Sequence, residues 1–243
     1  MLALAVLAAI SVFAASFTDI EEGAYYSDAA ERMADRGILS GYGDGMYHGD
    51  ESVTRAQLAA LICKMLGKAD EAASLAGETA FTDVVKEAWY TGYINYAVAN
   101  GIIVGDGNGK FRPDDYVKYE EVVKVVVCVI GLDENVKIDP ADWSKEFIEA
   151  ADGAKLLDTL IGKKGEIMLR SDIAVICDKA MAFIDASVTT ATTTTKKNSI
   201  SRPVDGSESD ATTAVTTTAT TTAETTTEPV TLGPNQLPMI PIN

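Results

Sequence analysis

The fold is decided by a glycine-rich stretch between two helical patterns, Gly37-Ile38-Leu39-Ser40-Gly41-Tyr42-Gly43-Asp44-Gly45, and by the tetrad that follows it, Thr54-Arg55-Ala56-Gln57. Gly37 is a good helix C-cap, because glycine adopts the left-handed conformation at little cost. The glycines after it favour turns over any regular element. Thr54 and Gln57 have the spacing of a capping box, which opens a second helix. The stretch therefore predicts a helix-loop-helix unit.

The unit is repeated along the chain. Residues 17–67 and 81–131 align without a gap at a shift of 64 residues, with 13 identities in 51 positions. A weaker copy occupies residues 136–185, where Trp143 matches Trp89 and Arg170 matches Arg55, but most of the glycine pattern is lost. Tandem units of this size stack and bury a shared core.

The second helix of the second copy is ambiguous by residue type. Its valine run at 122–130 favours a strand on propensity alone. The gapless register with the first copy favours a helix, and so apolar a run indicates a helix buried on most sides. We therefore predict an all-α, mainly helical fold.

Composition excludes several function classes. The net charge of the chain is -16, of which -14 lies in residues 1–185, so it is a poor candidate for binding nucleic acid. The one histidine and three separated cysteines exclude multi-histidine and four-cysteine metal sites. No nucleophile–base pair or phosphate loop stands out, so we predict no enzyme activity, no cofactor and no metal. The cysteines favour buried thiols, although a disulfide stays open.

The two ends differ from the repeats. Residues 1–16 are mostly apolar and end in small residues, which predicts a secretory signal peptide, with a buried N-terminal helix as the alternative. This predicts no membrane anchorage after signal removal. Residues 186–243 are rich in threonine without an apolar period, which predicts a disordered linker or tail.

The repeats resemble the S-layer homology (SLH) family. The first copy has Phe17-Thr18-Asp19-Ile20 and the second has Phe81-Thr82-Asp83-Val84. Both continue with an aromatic residue, Gly-Ile and a glycine turn, and the first alone keeps the full Thr-Arg-Ala-Gln tetrad. The second has Lys118-Tyr119-Glu120-Glu121 there.

The resemblance implies three helix-loop-helix SLH motifs in a three-fold pseudo-symmetric prong around a central helical bundle: motif 1 (17–67), motif 2 (81–131) and a degenerate motif 3 (136–185). It also implies a binding module that holds a secondary cell-wall polymer, often pyruvylated, and tethers an exported protein to a bacterial cell wall. The alternative is a structural protein of the S-layer that contacts other surface proteins.

Arg55 is the first candidate for holding an anionic polymer, followed by Arg170, because a guanidinium grips a carboxylate with two hydrogen bonds. A surface salt bridge is the alternative for Arg55. Trp89 and Trp143 are candidates for packing on sugar rings, or else for filling the core.

The other candidates combine a groove role with a structural one. Asp19 and Asp83 suit turns or caps, and Thr54 and Gln57 suit the capping box. Gly41 and Gly105 would let a ligand approach the backbone. The acidic loop 106–110 lacks the sixth-position glycine and the twelfth-position acid of a calcium-binding EF-hand.

Overall fold

The computed structural model describes residues 17–134 and 136–198, with side chains as far as Thr189. In this range the chain forms seven helices and no β-strand: α1 (Ser27–Asp35), α2 (Arg55–Met65), α3 (Ala69–Ala73), α4 (Thr91–Ala99), α5 (Tyr119–Val129), α6 (Lys145–Gly153) and α7 (Arg170–Asn198). The prediction of an all-α fold is confirmed.

Each predicted motif contains a pair of helices: α1 with α2, α4 with α5, and α6 with α7. The second helix of one motif packs against the first helix of the next, α2 against α4 and α5 against α6. Between α7 and α1, Arg32 and Arg36 form ion pairs with Asp178 and Asp185. The short α3 lies between motifs 1 and 2.

The valine-rich segment of motif 2 is helical, as its register predicts. All residues from Tyr119 to Val127 are buried, so α5 contacts neighbours on nearly every side. Burial of this kind outweighs the β-propensity of valine, which reflects packing on a half-buried surface more than a backbone preference. Helix α2 is similarly buried, and both contribute to the main core.

Three short backbone bridges join the segments that precede α2, α5 and α7. They pair Ser52 with Leu169, Thr54 with Tyr116, and Lys118 with Ile167. The first residue of each helix donates its N–H to the next motif: Arg55 to Asp115 O, Tyr119 to Glu166 O and Arg170 to Glu51 O, each at 2.9 Å. Helix N-termini need such acceptors, because their first N–H groups have no partner inside the helix.

These bridges link motif 1 to 2, 2 to 3, and 3 to 1. The three matching positions of the repeat, Arg55, Tyr119 and Arg170, are the first residues of these three helices. The three-fold pseudo-symmetric prong that the resemblance implies stays a prediction.

The chain splits into two compact units, and Asp185 is the last described residue of the first. Helix α7 continues to Asn198, past residue 186, where the predicted linker begins. Adding a residue to an existing helix costs far less than starting one. The rest of that segment and the predicted signal peptide lie outside the described residues.

All three cysteines are free; Cys63 and Cys177 are buried and Cys128 is partly buried. Burial raises the pKa of each thiol to about 12. They are therefore neutral packing groups, and the open possibility of a disulfide is excluded.

Candidate ligand-binding grooves

Arg170 reaches from the start of α7 into the loop of motif 1. Its Nε donates to Tyr47 O at 3.0 Å and its Nη2 donates to Ser40 O at 3.1 Å. The guanidinium lies 4.9 Å from the ring centre of Tyr42 and 4.8 Å from that of Tyr47. Carbonyls and aromatic faces fix this cation without neutralising it.

Arg55 does the same between motifs 1 and 2. Its Nε donates to Phe111 O at 2.9 Å and its Nη2 donates to Val104 O at 2.7 Å. The guanidinium stacks 4.8 Å from the ring centre of Phe111. Only 6% of the residue is exposed, so the surface salt bridge considered from sequence is wrong. Burial lowers the pKa of Arg55.

Motif 2 has Tyr119 at the matching position. The residue is buried and lies close to Gly162 in the loop of motif 3. A tyrosine fills this space without bringing a cation. The sequence difference in the second tetrad therefore removes a positive charge from one of the three equivalent positions.

The two tryptophans have different environments. Trp89 is 61% exposed and lies near Arg170, so the core-filling alternative is wrong for this residue. Trp143 is half-buried and packs edge-on against Phe147. The Lys124 ammonium lies 5.6 Å from the Trp143 ring centre. Trp89 thus offers an open aromatic face, whereas that of Trp143 is covered.

Thr54 and Gln57 form the predicted capping box. The Gln57 N–H donates to Thr54 Oγ1 at 3.3 Å and the Thr54 N–H donates to Gln57 Oε1 at 2.8 Å. The cap fixes the first turn of α2, and with it the starting point of the Arg55 side chain. Gln57 also lines the surface near Arg170 and Trp89.

Asp19 and Asp83 hold the turns that follow the glycine loops. Asp19 accepts the N–H groups of Tyr47 and His48, both at 2.6 Å. Asp83 accepts those of Phe111 and Arg112 at 2.9 and 2.8 Å. Burial alone would raise the pKa of Asp19, but the two N–H groups outweigh it and the pKa is lowered.

These carboxylates explain an unusual backbone feature. His48 and Arg112 have φ values of 57° and 58°, in the left-handed region that non-glycine residues seldom enter. Two hydrogen bonds to one carboxylate hold each turn in that conformation.

Gly41 and Gly105 are required by packing inside the loops. A Cβ atom on Gly41 would collide with Met46 O, and one on Gly105 would lie 2.7 Å from Lys110 O. The two positions therefore allow the loop to fold against itself, whether or not a ligand also approaches.

Three of the grooves that the described residues form are relevant to these positions. Groove A has a volume of about 220 Å³ and is lined by Ile38, Leu39, Ser40, Gly41, Tyr42, Gln57, Ala60, Leu61, Lys64, Trp89 and Arg170. Groove B has about 180 Å³ and is lined by Arg55, Asp106, Phe111, Arg112, Asp115, Tyr116, Lys118 and Glu121. Groove C has about 380 Å³ and is lined by Gly23, Ala24, Tyr25, Ser27, Asp28, Ala29, Arg32, Thr159, Val175, Asp178 and Lys179.

Not all of the predicted site residues line these three grooves. Groove A joins Arg170, Trp89, Gln57 and Gly41, whereas Arg55 lies in groove B. The remaining candidates, Trp143, Asp19, Asp83, Thr54 and Gly105, do not line any of the three.

Two lining residues of groove A escaped the sequence reasoning, Lys64 and Tyr42. Lys64 is a cation near the end of the apolar pattern of α2, and Tyr42 is an aromatic residue within a glycine turn. Either irregularity could have drawn attention to them.

Among the described side chains, no cluster of three or more His, Cys, Asp or Glu is placed to hold a metal ion. In the loop at 106–110, the Asp106 carboxylate accepts the N–H groups of Asn108 and Lys110. No helix within the described ranges is long and apolar enough to cross a bilayer.

Comparison with known proteins agrees with the resemblance that the repeats show. Residues 16–59 and 80–123 match the family model of the S-layer homology domain. The chain is 33% identical over 166 residues to "Cell surface protein" of Thermoanaerobacter kivui, covering 68% of this chain and 21% of that protein.

Two further relatives come from Brevibacillus. "Middle cell wall protein" of Brevibacillus brevis is 28% identical over 168 residues, 69% of this chain and 16% of that protein. "Surface layer protein" of Brevibacillus choshinensis is 31% identical over 137 residues, 56% of this chain and 12% of that protein. The chain thus spans about a fifth or less of these relatives' length. S-layer homology repeats are therefore shown at residues 16–59 and 80–123, and the third motif stays a prediction.

Proposed function

We propose that this chain is a non-catalytic anchoring module, which binds a secondary cell-wall polymer and tethers an exported protein to the surface of a bacterium. The family match and the names of the relatives support a cell-surface role. A pyruvylated glycan is the polymer that we propose. Export through the predicted signal peptide is part of the same proposal.

One observation carries the choice of ligand. In groove A an exposed indole, Trp89, lies beside a guanidinium, Arg170, that has no carboxylate partner among the described residues. Aromatic faces pack on sugar rings, and a fixed guanidinium binds a carboxylate through paired hydrogen bonds. A sugar that carries a pyruvyl carboxylate combines both requirements.

The experiment is co-sedimentation of the full chain with deproteinated cell walls, either intact or stripped of their covalently attached polymer. We expect the parent to pellet with intact walls only. Trp89→Ala should pellet several-fold less, because the sugar platform is removed. Ile161→Ala is the matched control, since Ile161 is an apolar residue of similar exposure, 66%, outside the three grooves. Equal pelleting of the parent with stripped walls would refute polymer binding.

The alternative is a structural protein of a surface layer that acts through protein contacts. The names "Middle cell wall protein" and "Surface layer protein" favour it. On this alternative the chain would fail to pellet with deproteinated walls of either kind, yet would join assemblies of surface protein. We propose no reaction for the chain, although a relative such as "Exoglucanase XynX" of Acetivibrio thermocellus is an enzyme by name, with 13% of its length covered.

A further inference from the structure

The three grooves differ in the charge of the residues that line them. Groove A is lined by two cations, Arg170 and Lys64, and by no carboxylate. Groove B is lined by three cations and three carboxylates. Groove C is lined by two of each. With a net charge of -16 on the whole chain, attraction of an anion depends on such local differences.

The two cations of groove A are not paired with carboxylates within the described part of the chain. Only Nε and Nη2 of Arg170 donate to carbonyl oxygens, and its Nη1 group makes no hydrogen bond to any described residue. Lys64 has no ion-pair partner within the described part of the chain. The Glu51 carboxylate lies 3.7 Å from His48 Nδ1 and does not line the groove.

Groove B is neutralised by its own side chains. In the repeat register Asp106 replaces Tyr42 and Glu121 replaces Gln57. Arg112 Nη2 lies 3.3 Å from the Asp106 carboxylate, and its Nη1 lies 3.9 Å from that of Asp115. An anion that approached Arg55 would therefore meet three carboxylates.

The cations of groove C are engaged as well. Arg32 makes two hydrogen bonds to Asp178, at 3.0 and 2.7 Å. The Lys179 ammonium donates to Lys155 O at 3.0 Å. Tyr25, at the position of Trp89, donates its hydroxyl to Asp172 at 2.8 Å.

We infer that, of these three grooves, groove A alone binds an anionic sugar, with Arg170 and Lys64 as the two cations and Trp89 as the platform. Arg55 then acts as a structural link between motifs 1 and 2. This inference rests on the proposed function and adds which groove is competent and which residue, Lys64, confers its specificity for an anion.

The test uses one lysine from each groove. Lys64→Gln, Lys118→Gln and Lys179→Gln alter grooves A, B and C respectively, and each removes one positive charge, so the change in net charge is identical. The full chain and its variants are titrated against intact deproteinated walls from Thermoanaerobacter kivui. Thermal unfolding followed by circular dichroism verifies that each variant is folded.

We expect Lys64→Gln to weaken binding on the order of tenfold, because it removes a charge next to the ligand, and the other two to change it less than about twofold. An equal loss in all three variants, or a larger loss in Lys118→Gln or Lys179→Gln, overturns the assignment of groove A while polymer binding stands. A parent chain that does not bind these walls refutes the proposed function itself.

Discussion

Replacing Arg55 by methionine separates a structural role from a binding role. The side chain keeps much of its length, but both hydrogen bonds, to Val104 O and Phe111 O, are lost together with the contact on the Phe111 ring. A hydrogen bond to a charged group contributes about 1.5–3 kcal/mol. Methionine also removes the desolvation penalty of a buried charge, which offsets part of this loss. We therefore expect the free energy of unfolding to fall by about 3 kcal/mol.

The loss should be visible in thermal unfolding. For a domain of this size 1 kcal/mol corresponds to about 2–4 °C, so the midpoint should fall by roughly 6–12 °C. Arg36→Met is the matched control: Arg36 is 43% exposed in its side chain and pairs with Asp185 at the surface, which contributes at most about 1 kcal/mol.

The second measurement on Arg55→Met is its binding to cell walls. At a temperature where Arg55→Met is fully folded, we expect it to pellet with intact walls as the parent does. A midpoint within 2 °C or so of the parent would refute the structural role. Loss of pelleting by folded protein would return Arg55 to the ligand site, as the sequence first suggested.

Three further predictions concern single positions. The hydrogen bond to Asp44 raises the pKa of His48, so the free energy of unfolding should fall as the pH rises above about 6.5. His48→Asn, which tolerates the left-handed backbone, should flatten this dependence in urea unfolding, and an unchanged slope would contradict it. Burial raises the pKa of Glu121, because it disfavours the charged carboxylate. Glu121→Gln should therefore raise the midpoint of thermal unfolding at pH 7, but not near pH 4, where the carboxyl is protonated in both the folded and the unfolded chain. An equal effect at both pH values would count against this prediction. Gly41→Ala should cost about 1–3 kcal/mol because its Cβ meets a carbonyl oxygen, whereas the control Gly153→Ala, in an open helical position, should be neutral or stabilising; equal midpoints would disprove the close approach.

The local elements could be predicted from sequence because their causes are local. The capping box of Thr54 and Gln57 and the turn at Gly37 depend on residues only a few positions apart. Predicting α5 as a helix also required the register of the repeat, because its valines by themselves favour a strand. The end of α7 could not be predicted, because composition does not record that a helix already formed extends easily.

The candidate site could be predicted only in part. Arg170 and Trp89 were identified from the repeat, but nothing in the sequence places them in the same groove. Arg55 ranked first because it belongs to the best-preserved tetrad. Its burial against carbonyls of the next motif is a long-range property, and so is its position among the carboxylates Asp106 and Glu121.

By itself the sequence determined the repeat, its helix-loop-helix units, the acidic charge and the family that the units resemble, because each follows from residue type and spacing. The tertiary structure decided which arginine lies in a groove with carboxylates, Arg55, and which lies in a groove without them, Arg170. The arginines of motifs 1 and 3, Arg55 and Arg170, each lie against the loop of another motif, so their neighbours come from elsewhere in the chain. Charge acts through distance in space, and those distances exist only in the folded protein.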